Sequence, residues 1–235
     1  MPGQIPKNLS LILSRMAEAA RRSERDPVEI KLVAVSKTHP ADTLREAMAA
    51  GVSAFGENKV QEGESKILEI GREAVEWHLI GHLQSNKARK AVQLFDVIHS
   101  VDSIDIAKRL ERICGEEGRE KLSVLVQVDL AGEETKSGIP ETEVEEIDEF
   151  LHRCKHLSFD GLMVLPPYFD DPEATRPYFR RLRELRDEII PDGHLSMGMS
   201  HDFEVAIEEG ATIVRVGTAI FGEREYAQPP LKAGS

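Results

Sequence analysis

The run KLVAVS (31–36) closes on Ser36, Lys37, Thr38, His39 and Pro40. A lysine at the end of a buried strand has apolar walls around its amine, and desolvation favours the free amine over the ammonium. A free amine is a nucleophile toward an aldehyde. The bland alternative is a solvated lysine in a connecting loop, and the short motif alone leaves both open. Two later segments offer a different chemistry. HLSMGM (194–199) runs into Ser200, His201 and Asp202, and TIVRVG (212–217) runs into Thr218 and Gly222. Glycine lets the backbone approach a phosphate, the Ser200 and Thr218 hydroxyls add donors, and helix-start N–H groups favour an anion. Either loop taken singly reads equally well as an ordinary tight turn.

For these residues to meet, the ends of distant strands must come to one place. The strand candidates are KLVAVS (31–36), VSAFG (52–56), EWHLIG (76–81), VIHSVD (97–102), SVLVQVDL (123–130), FDGLMVL (159–165), HLSMGM (194–199) and TIVRVG (212–217). Several are apolar throughout, as parallel strands buried on both faces must be. Between them the period becomes helical. Ala88, Ala91, Val92 and Phe95 share a face, as do Ile106, Leu110, Ile113 and Cys114 after the N-cap Ser103. Val144, Ile147, Leu151 and Cys154 form another stripe after Pro140, and Tyr178, Leu182, Leu185 and Ile189 a fourth. Pro40 opens a helix and Gly51 stops it. Eight strand–helix units favour a closed (β/α)8 TIM barrel over an open sheet, and AVSKTHP is not the G-x-G-x-x-G turn of a Rossmann domain. A barrel puts its chemistry where strands end, with phosphate often held by the last two loops. A phosphate anchor and a reactive lysine across one barrel mouth are what pyridoxal 5′-phosphate requires.

Composition is consistent with such a domain. The chain has 235 residues, 40 % hydrophobic and 31 % charged, enough for one barrel without linker or repeat, so residues 1–235 are read as a single domain. No apolar run approaches the roughly 20 residues of a membrane span. The N-terminal segment reads as an extra amphipathic helix without a signal-peptide cleavage pattern, and a cytoplasmic location is expected. Cys114 and Cys154 lie at apolar helical positions, spaced for neither a disulfide framework nor zinc. A net charge of −12 argues against non-specific nucleic-acid binding.

Seven ordered motifs, AVSKTHP, FGENKVQEG, WHLIGHLQSNK, VQVDLAGEETKSGI, GLMVLPP, LSMGMSHDFEVAI and VRVGTAIFGER, resemble the pyridoxal phosphate homeostasis proteins, relatives of the alanine racemase N-terminal barrel. The resemblance runs from about residue 5 to residue 224. It implies that Lys37 forms the internal aldimine, that Ser200, Gly217 and Thr218 contact the phosphate, and that Arg215 meets the pyridine nitrogen. An arginine there leaves that nitrogen unprotonated and the ring a weaker electron sink. Arg215 also admits a purely structural reading as an ion-pair residue. Racemases of this kind continue into a β-rich domain with an opposing tyrosine, for which no length remains after Arg224. Their strand-5 K-x-D corresponds to Gln127, Val128 and Asp129, their R-x-G to Lys136, Ser137 and Gly138, and their ring-stacking histidine to Leu165 or a neighbour. Racemisation needs proton donors on two faces, and only Lys37 offers one. The resemblance therefore implies a carrier or buffer of vitamin B6, not an enzyme, with other B6 vitamers and apo-enzymes as partners. A weak amino-acid racemase is the second reading. A monomer is expected.

Other signals are weaker. Asn58 and His78 lie near strand ends and are candidates for cofactor contact. His152 and His156 have the i,i+4 spacing of a metal pair, but Cys154 points elsewhere and no carboxylate supports them. The basic run from Lys87 to Lys90 reads as a solvated helix face. Arg180, Arg181, Arg183 and Arg186 are expected to pair within their helix with Glu184, Asp187 and Glu188.

Overall fold

The computed structural model of the chain describes residues 3–132 and 137–222. Its strands are β1 (Lys31–Val35), β2 (Ala54–Glu57), β3 (Glu76–Leu79), β4 (Val97–Val101), β5 (Leu122–Asp129), β6 (Ile139–Pro140), β7 (Leu157–Val164), β8 (His194–Ser196) and β9 (Ile213–Val216). All pairings are parallel, and β4 with β5 and β9 with β1 close eight of them into a barrel. The two-residue β6 lies outside that ring, against the end of β5. Sequence reading misses it because two residues carry no period.

Helices α1 (Gln4–Arg22), α2 (Ala41–Ala49), α3 (Val60–Ile70), α4 (Ala88–Leu94), α5 (Ile104–Glu117), α6 (Val144–His152), α7 (Arg176–Ile189), α8 (Phe203–Glu208) and α9 (Thr218–Phe221) surround the barrel. The amphipathic α1 turns Ile5, Leu9, Ile12, Met16, Ala19 and Ala20 into the core and packs on α8 and α9. Gly51, with φ of 108°, ends the turn after α2, and Ser103 Oγ accepts the N–H of Ile106 at the start of α5.

Strand parity separates two cores. Val33, Ala54, Val97, Leu125 and Ile213 pack inside the barrel, while Ala34, Phe55, Trp77, Ile98 and Val214 belong to the larger cluster between barrel and helices. With a period of two, positions 33, 35 and 37 of the first strand share the inner side. Gly161 marks the tightest approach: a Cβ there would stand 2.0 Å from the His194 carbonyl oxygen.

Three helical expectations are corrected. The buried stripe of α7 is Phe179, Leu182 and Leu185, with Tyr178 only half-buried. Cys154 lies beyond α6, whose last carbonyls are taken by the N–H groups of Arg153 and Cys154. Arg181 pairs within the helix with Glu184 and Glu188 and Arg186 with Asp187, as expected, and Arg181 also reaches Glu141. Arg180 and Arg183 instead reach across to the nearly buried Glu209, where Arg176 also converges. A tertiary carboxylate with little solvent around it outcompetes exposed neighbours one helical turn away. Burial pushes the Cys114 and Cys154 thiols up to about 11 and about 12, so neither is a ready nucleophile. His152 pairs with Asp148 at 2.8 Å, a carboxylate that spacing arguments overlooked. Among the described residues no group of three or more ligating side chains could hold a metal, and no helix is long and apolar enough to cross a membrane.

Candidate functional site

Lys37 follows β1 on the inner parity and is half-buried at the C-terminal mouth of the barrel. The backbone immediately after it is strained: Thr38 has φ of 70°, which a β-branched residue adopts at a cost of about 1–3 kcal/mol. A buried polar cluster holds it there. The Thr38 N–H donates to Glu62 Oε1 in a short hydrogen bond. Lys66 Nζ spends its three donors on Glu62 Oε1 at 2.8 Å, Glu57 Oε1 at 2.8 Å and the Ser36 carbonyl at 2.7 Å. The Ser36 hydroxyl donates to the same Glu57 oxygen at 2.5 Å. Burial raises the Glu57 carboxyl above its ordinary range, against the pull of Lys66 and Ser36. Burial also opposes charge on Glu62, but Lys66 and the Thr38 N–H outweigh it and hold that carboxyl low. The loop that carries Lys37 is thus clamped from below by side chains of β2 and α3.

Barrel closure brings the anion loops beside this lysine. β9 pairs directly with β1, in a register that sets Val216 on Ala34, so the Gly217 loop neighbours Lys37 and does not face it across the mouth. A Cβ on Gly217 would stand 3.1 Å from the Val35 carbonyl oxygen, and the His39 ring lies 4.8 Å from that of Phe221. Ser200, on the loop after β8, accepts the Gly217 N–H at 3.2 Å and the Ala219 N–H at 3.4 Å on its Oγ. Two amides therefore already converge on one oxygen acceptor, the arrangement an anion would need. Gly198, with φ of 90°, has no room for a side chain: a Cβ there would stand 2.6 Å from the Ala206 Cβ and 2.9 Å from the Phe203 Cα. Asp202 closes the turn by accepting the Met199 N–H at 2.7 Å.

Beneath the mouth, Arg215 is a buried cation with no carboxylate among the described residues bonded to it. Its guanidinium donates to the Ser196 carbonyl at 2.7 Å, the Ser196 hydroxyl at 2.5 Å and the Val164 carbonyl at 2.9 Å. Burial lowers its pKa to about 10, partly offset by Asp202, which leaves it charged at neutral pH. These bonds go to neutral oxygens, and Asp202 acts on the guanidinium through its charge without a hydrogen bond to it.

Asn58 falls on the inner parity of β2 at the same mouth, half-buried, with its carbonyl oxygen 2.2 Å from a virtual Cβ on Gly81. His78 does not reach that mouth. It is fully buried inside the barrel, where its Nδ1 meets His99 Nε2 at 2.7 Å, because the register aligns it with Val97, the first residue of β4. His99 Nδ1 meets Ser196 Oγ at 2.8 Å, so His78 touches Arg215 only through two intermediaries. Gln127 Nε2 bonds the Ser137 carbonyl, and Asp129 caps the turn through Ala131 and Gly132. Lys136 and Arg224 lie outside the described residues. Sequence reading missed Ser36, Glu57, Glu62, Lys66, His99 and Ser196. The i,i+4 spacing of Glu62 and Lys66 was the one local signal available for them.

The alanine racemase N-terminal domain family matches residues 8–225 of the chain. The pyridoxal phosphate homeostasis protein of Aquifex aeolicus is 43 % identical over 225 residues, covering 94 % of this chain and 98 % of that protein. The structure of PipY from Synechococcus elongatus with PLP bound is 43 % identical, with a TM-score of 0.77, over 90 % of this chain and all of that one. The alanine racemase of Corynebacterium glutamicum shares the fold alone. It is 20 % identical, with a TM-score of 0.70, and 63 % of its length is matched.

Proposed function

The chain belongs to the pyridoxal phosphate homeostasis family, built on the alanine racemase N-terminal domain, and from that premise we propose that it holds pyridoxal 5′-phosphate on Lys37 and buffers that cofactor without a turnover reaction of its own. One observation carries the reading: a half-buried lysine stands beside the loop after β9, whose Gly217 and Ala219 amides converge on the Ser200 hydroxyl of the loop after β8. When bound, the cofactor supplies an aldehyde that condenses with a primary amine as one water leaves. Lys37 gives the amine. Ser200, Thr218 and the N–H groups of Gly217 and Ala219 would hold the phosphate. Arg215 would face the ring nitrogen, and as a donor-only group it would keep a proton off that atom. Asn58 would flank the ring. His78 positions Arg215 through His99 and Ser196 and would not touch the cofactor. Other B6 vitamers, apo-enzymes as recipients, a cytoplasmic location and a monomeric state complete this reading.

Borohydride reduction after saturation with pyridoxal phosphate, followed by peptide mass mapping, tests it. The mass increment is expected on the peptide that carries Lys37; an increment elsewhere, or none, rejects the assignment. Ser200→Ala and Thr218→Val are each expected to weaken cofactor retention by about 1–2 kcal/mol, the scale of a hydrogen bond to a charged group. If both variants retain the cofactor as the parent does in equilibrium dialysis, the phosphate site lies elsewhere.

A second reading, slow proton exchange at an amino-acid α-carbon, draws on Tyr168. This exposed phenol on the loop after β7 stacks on His201 at 5.5 Å, at the same end of the barrel as Lys37. Steady-state racemisation of a panel of L-amino acids separates the two. The buffering role predicts no turnover above the free cofactor. Robust turnover lost in both Lys37→Ala and Tyr168→Phe would establish the enzyme instead.

A further inference from the structure

A cavity of about 650 Å³ opens at the N-terminal end of the barrel, opposite Lys37. Lys31, Glu76, Val97, His194 and Ile213, each the first residue of its strand, line it. None of Lys37, Ser200, Gly217 and Thr218 borders it. The polar chain through the barrel interior ends there, and its direction can be assigned. Arg215 can only donate, so Ser196 Oγ accepts from it and passes its own hydrogen to His99 Nδ1. His99 is fully buried, and burial, followed by His78 and Arg215, holds its pKa well below the ordinary value. It therefore carries one N–H, on Nε2, and donates it to His78 Nδ1. The hydrogen of His78 is left on Nε2. That atom is buried, has no hydrogen-bond partner among the described residues, and belongs to a residue of the cavity wall. The nearest carboxylate oxygen, Glu76 Oε2, stands 3.5 Å away and is already bonded by Lys31 at 2.7 Å.

The rest of the wall defines what would complete this donor. Glu29, Glu76, Asp96 and Asp160 line the space. Arg25 pairs with Glu29, Lys31 with Glu76 and Arg72 with Asp96, so among the described residues Asp160 is the carboxylate of this wall without a cation. Asp160 receives the hydroxyls of Ser123 and Ser158. Leu13, Val28 and Leu125 supply an apolar side. Volumes of roughly 300–1,000 Å³ with a few convergent polar groups are typical of small-molecule sites. We propose that this mouth is a second ligand site, for a small organic amine that also bears a hydrogen-bond-accepting oxygen and an apolar body. The oxygen takes the His78 Nε2–H, the ammonium lies against Asp160 and its neighbouring carboxylates, and the body covers Leu13, Val28 and Leu125. The proposal does not rest on the cofactor reading: none of its residues borders the Lys37 mouth, and His78 reaches Arg215 only through His99 and Ser196.

The test is isothermal titration of the full chain with three probes: L-phenylalaninol, which carries all three features; 2-phenylethylamine, which lacks the oxygen; and 3-phenylpropionate, which lacks the cation. Phenylalaninol is expected to bind one to one, phenylethylamine about tenfold more weakly, and phenylpropionate not at all, since one hydrogen bond to a charged or buried partner is worth about that factor. Asp160→Asn should weaken phenylalaninol by about tenfold. His78→Gln, whose amide can still donate, should retain most of the affinity. Methyl resonances of Leu125 and Ile213 should shift on binding in parent and His78→Gln protein alike. Absence of binding by phenylalaninol, equal binding of the two amines, undiminished binding in Asp160→Asn, or unshifted Leu125 and Ile213 methyls would each overturn the proposal.

Discussion

Lys37→Ala is expected to abolish the visible absorbance of bound cofactor and all borohydride-trappable adduct, while changing stability by no more than about 0.5 kcal/mol. The loss is complete because one covalent link depends on one amine, and neither Lys31 nor Lys66 can replace it. Lys31 lies at the far end of β1, bonded to Glu76. Lys66 is the nearest buried amine, but its three donors are held by Ser36, Glu57 and Glu62. The fold is expected to survive because Lys37 is half-buried and projects into the mouth beyond the end of β1. Surface-type substitutions away from buried networks usually fall within about that margin. The checks are an absorbance spectrum after gel filtration and a urea titration of parent and variant without cofactor. A variant that keeps the visible band would show that the covalent link is made elsewhere.

The barrel was legible because parallel strands covered on both faces are apolar along their length, so each of the eight runs stands out between helical periods. The strand ends were legible for a related reason: glycine, serine and threonine at Gly217, Ser200 and Thr218 follow apolar runs that could not continue into solvent. Where both faces of a strand are apolar, however, alternation cannot tell inside from outside. Nor does a strand's sequence fix its depth along the barrel axis: His78, near a strand end, reads toward the mouth, whereas the register sets it lower, on His99 in the interior. Partners in that chain are 21 and 97 residues apart, beyond any local spacing rule. Glu57 was hidden similarly, since it sits on the outer face of β2 and meets its cation on α3. Polar side chains buried between layers look, in sequence, like polar side chains in loops.

The clamp under Lys37 leads to the other large effect. Lys66→Ala should destabilise the protein by about 3–5 kcal/mol, because it leaves a buried carboxylate without its cation. Lys66 is 6 % exposed and Glu57 fully buried, so water cannot replace the lost ammonium cheaply. Glu57 Oε2 already lacks a hydrogen-bond partner, and without Lys66 only the Ser36 hydroxyl would remain on Oε1. Burial already pushes this carboxyl up, and removing the cation pushes it further, so the variant should bind a proton there on folding. The sign follows from linkage. A carboxyl whose pKa is raised in the folded state binds protons more tightly there than in the unfolded chain, so the variant should recover stability as pH falls toward the unfolded value near 4.3 and lose it as pH rises. Pairing Lys66→Met with Glu57→Gln should restore most of the loss, since two neutral groups of similar size leave no unpaired charge. Urea denaturation of the parent, Lys66→Ala and the double variant from pH 5 to 8 measures all three. A loss below about 1 kcal/mol in Lys66→Ala would mean that Glu57 is solvated in the folded protein. The cost should extend to the cofactor site, because the same Lys66 fixes Glu62, and Glu62 holds the strained Thr38 that aims Lys37.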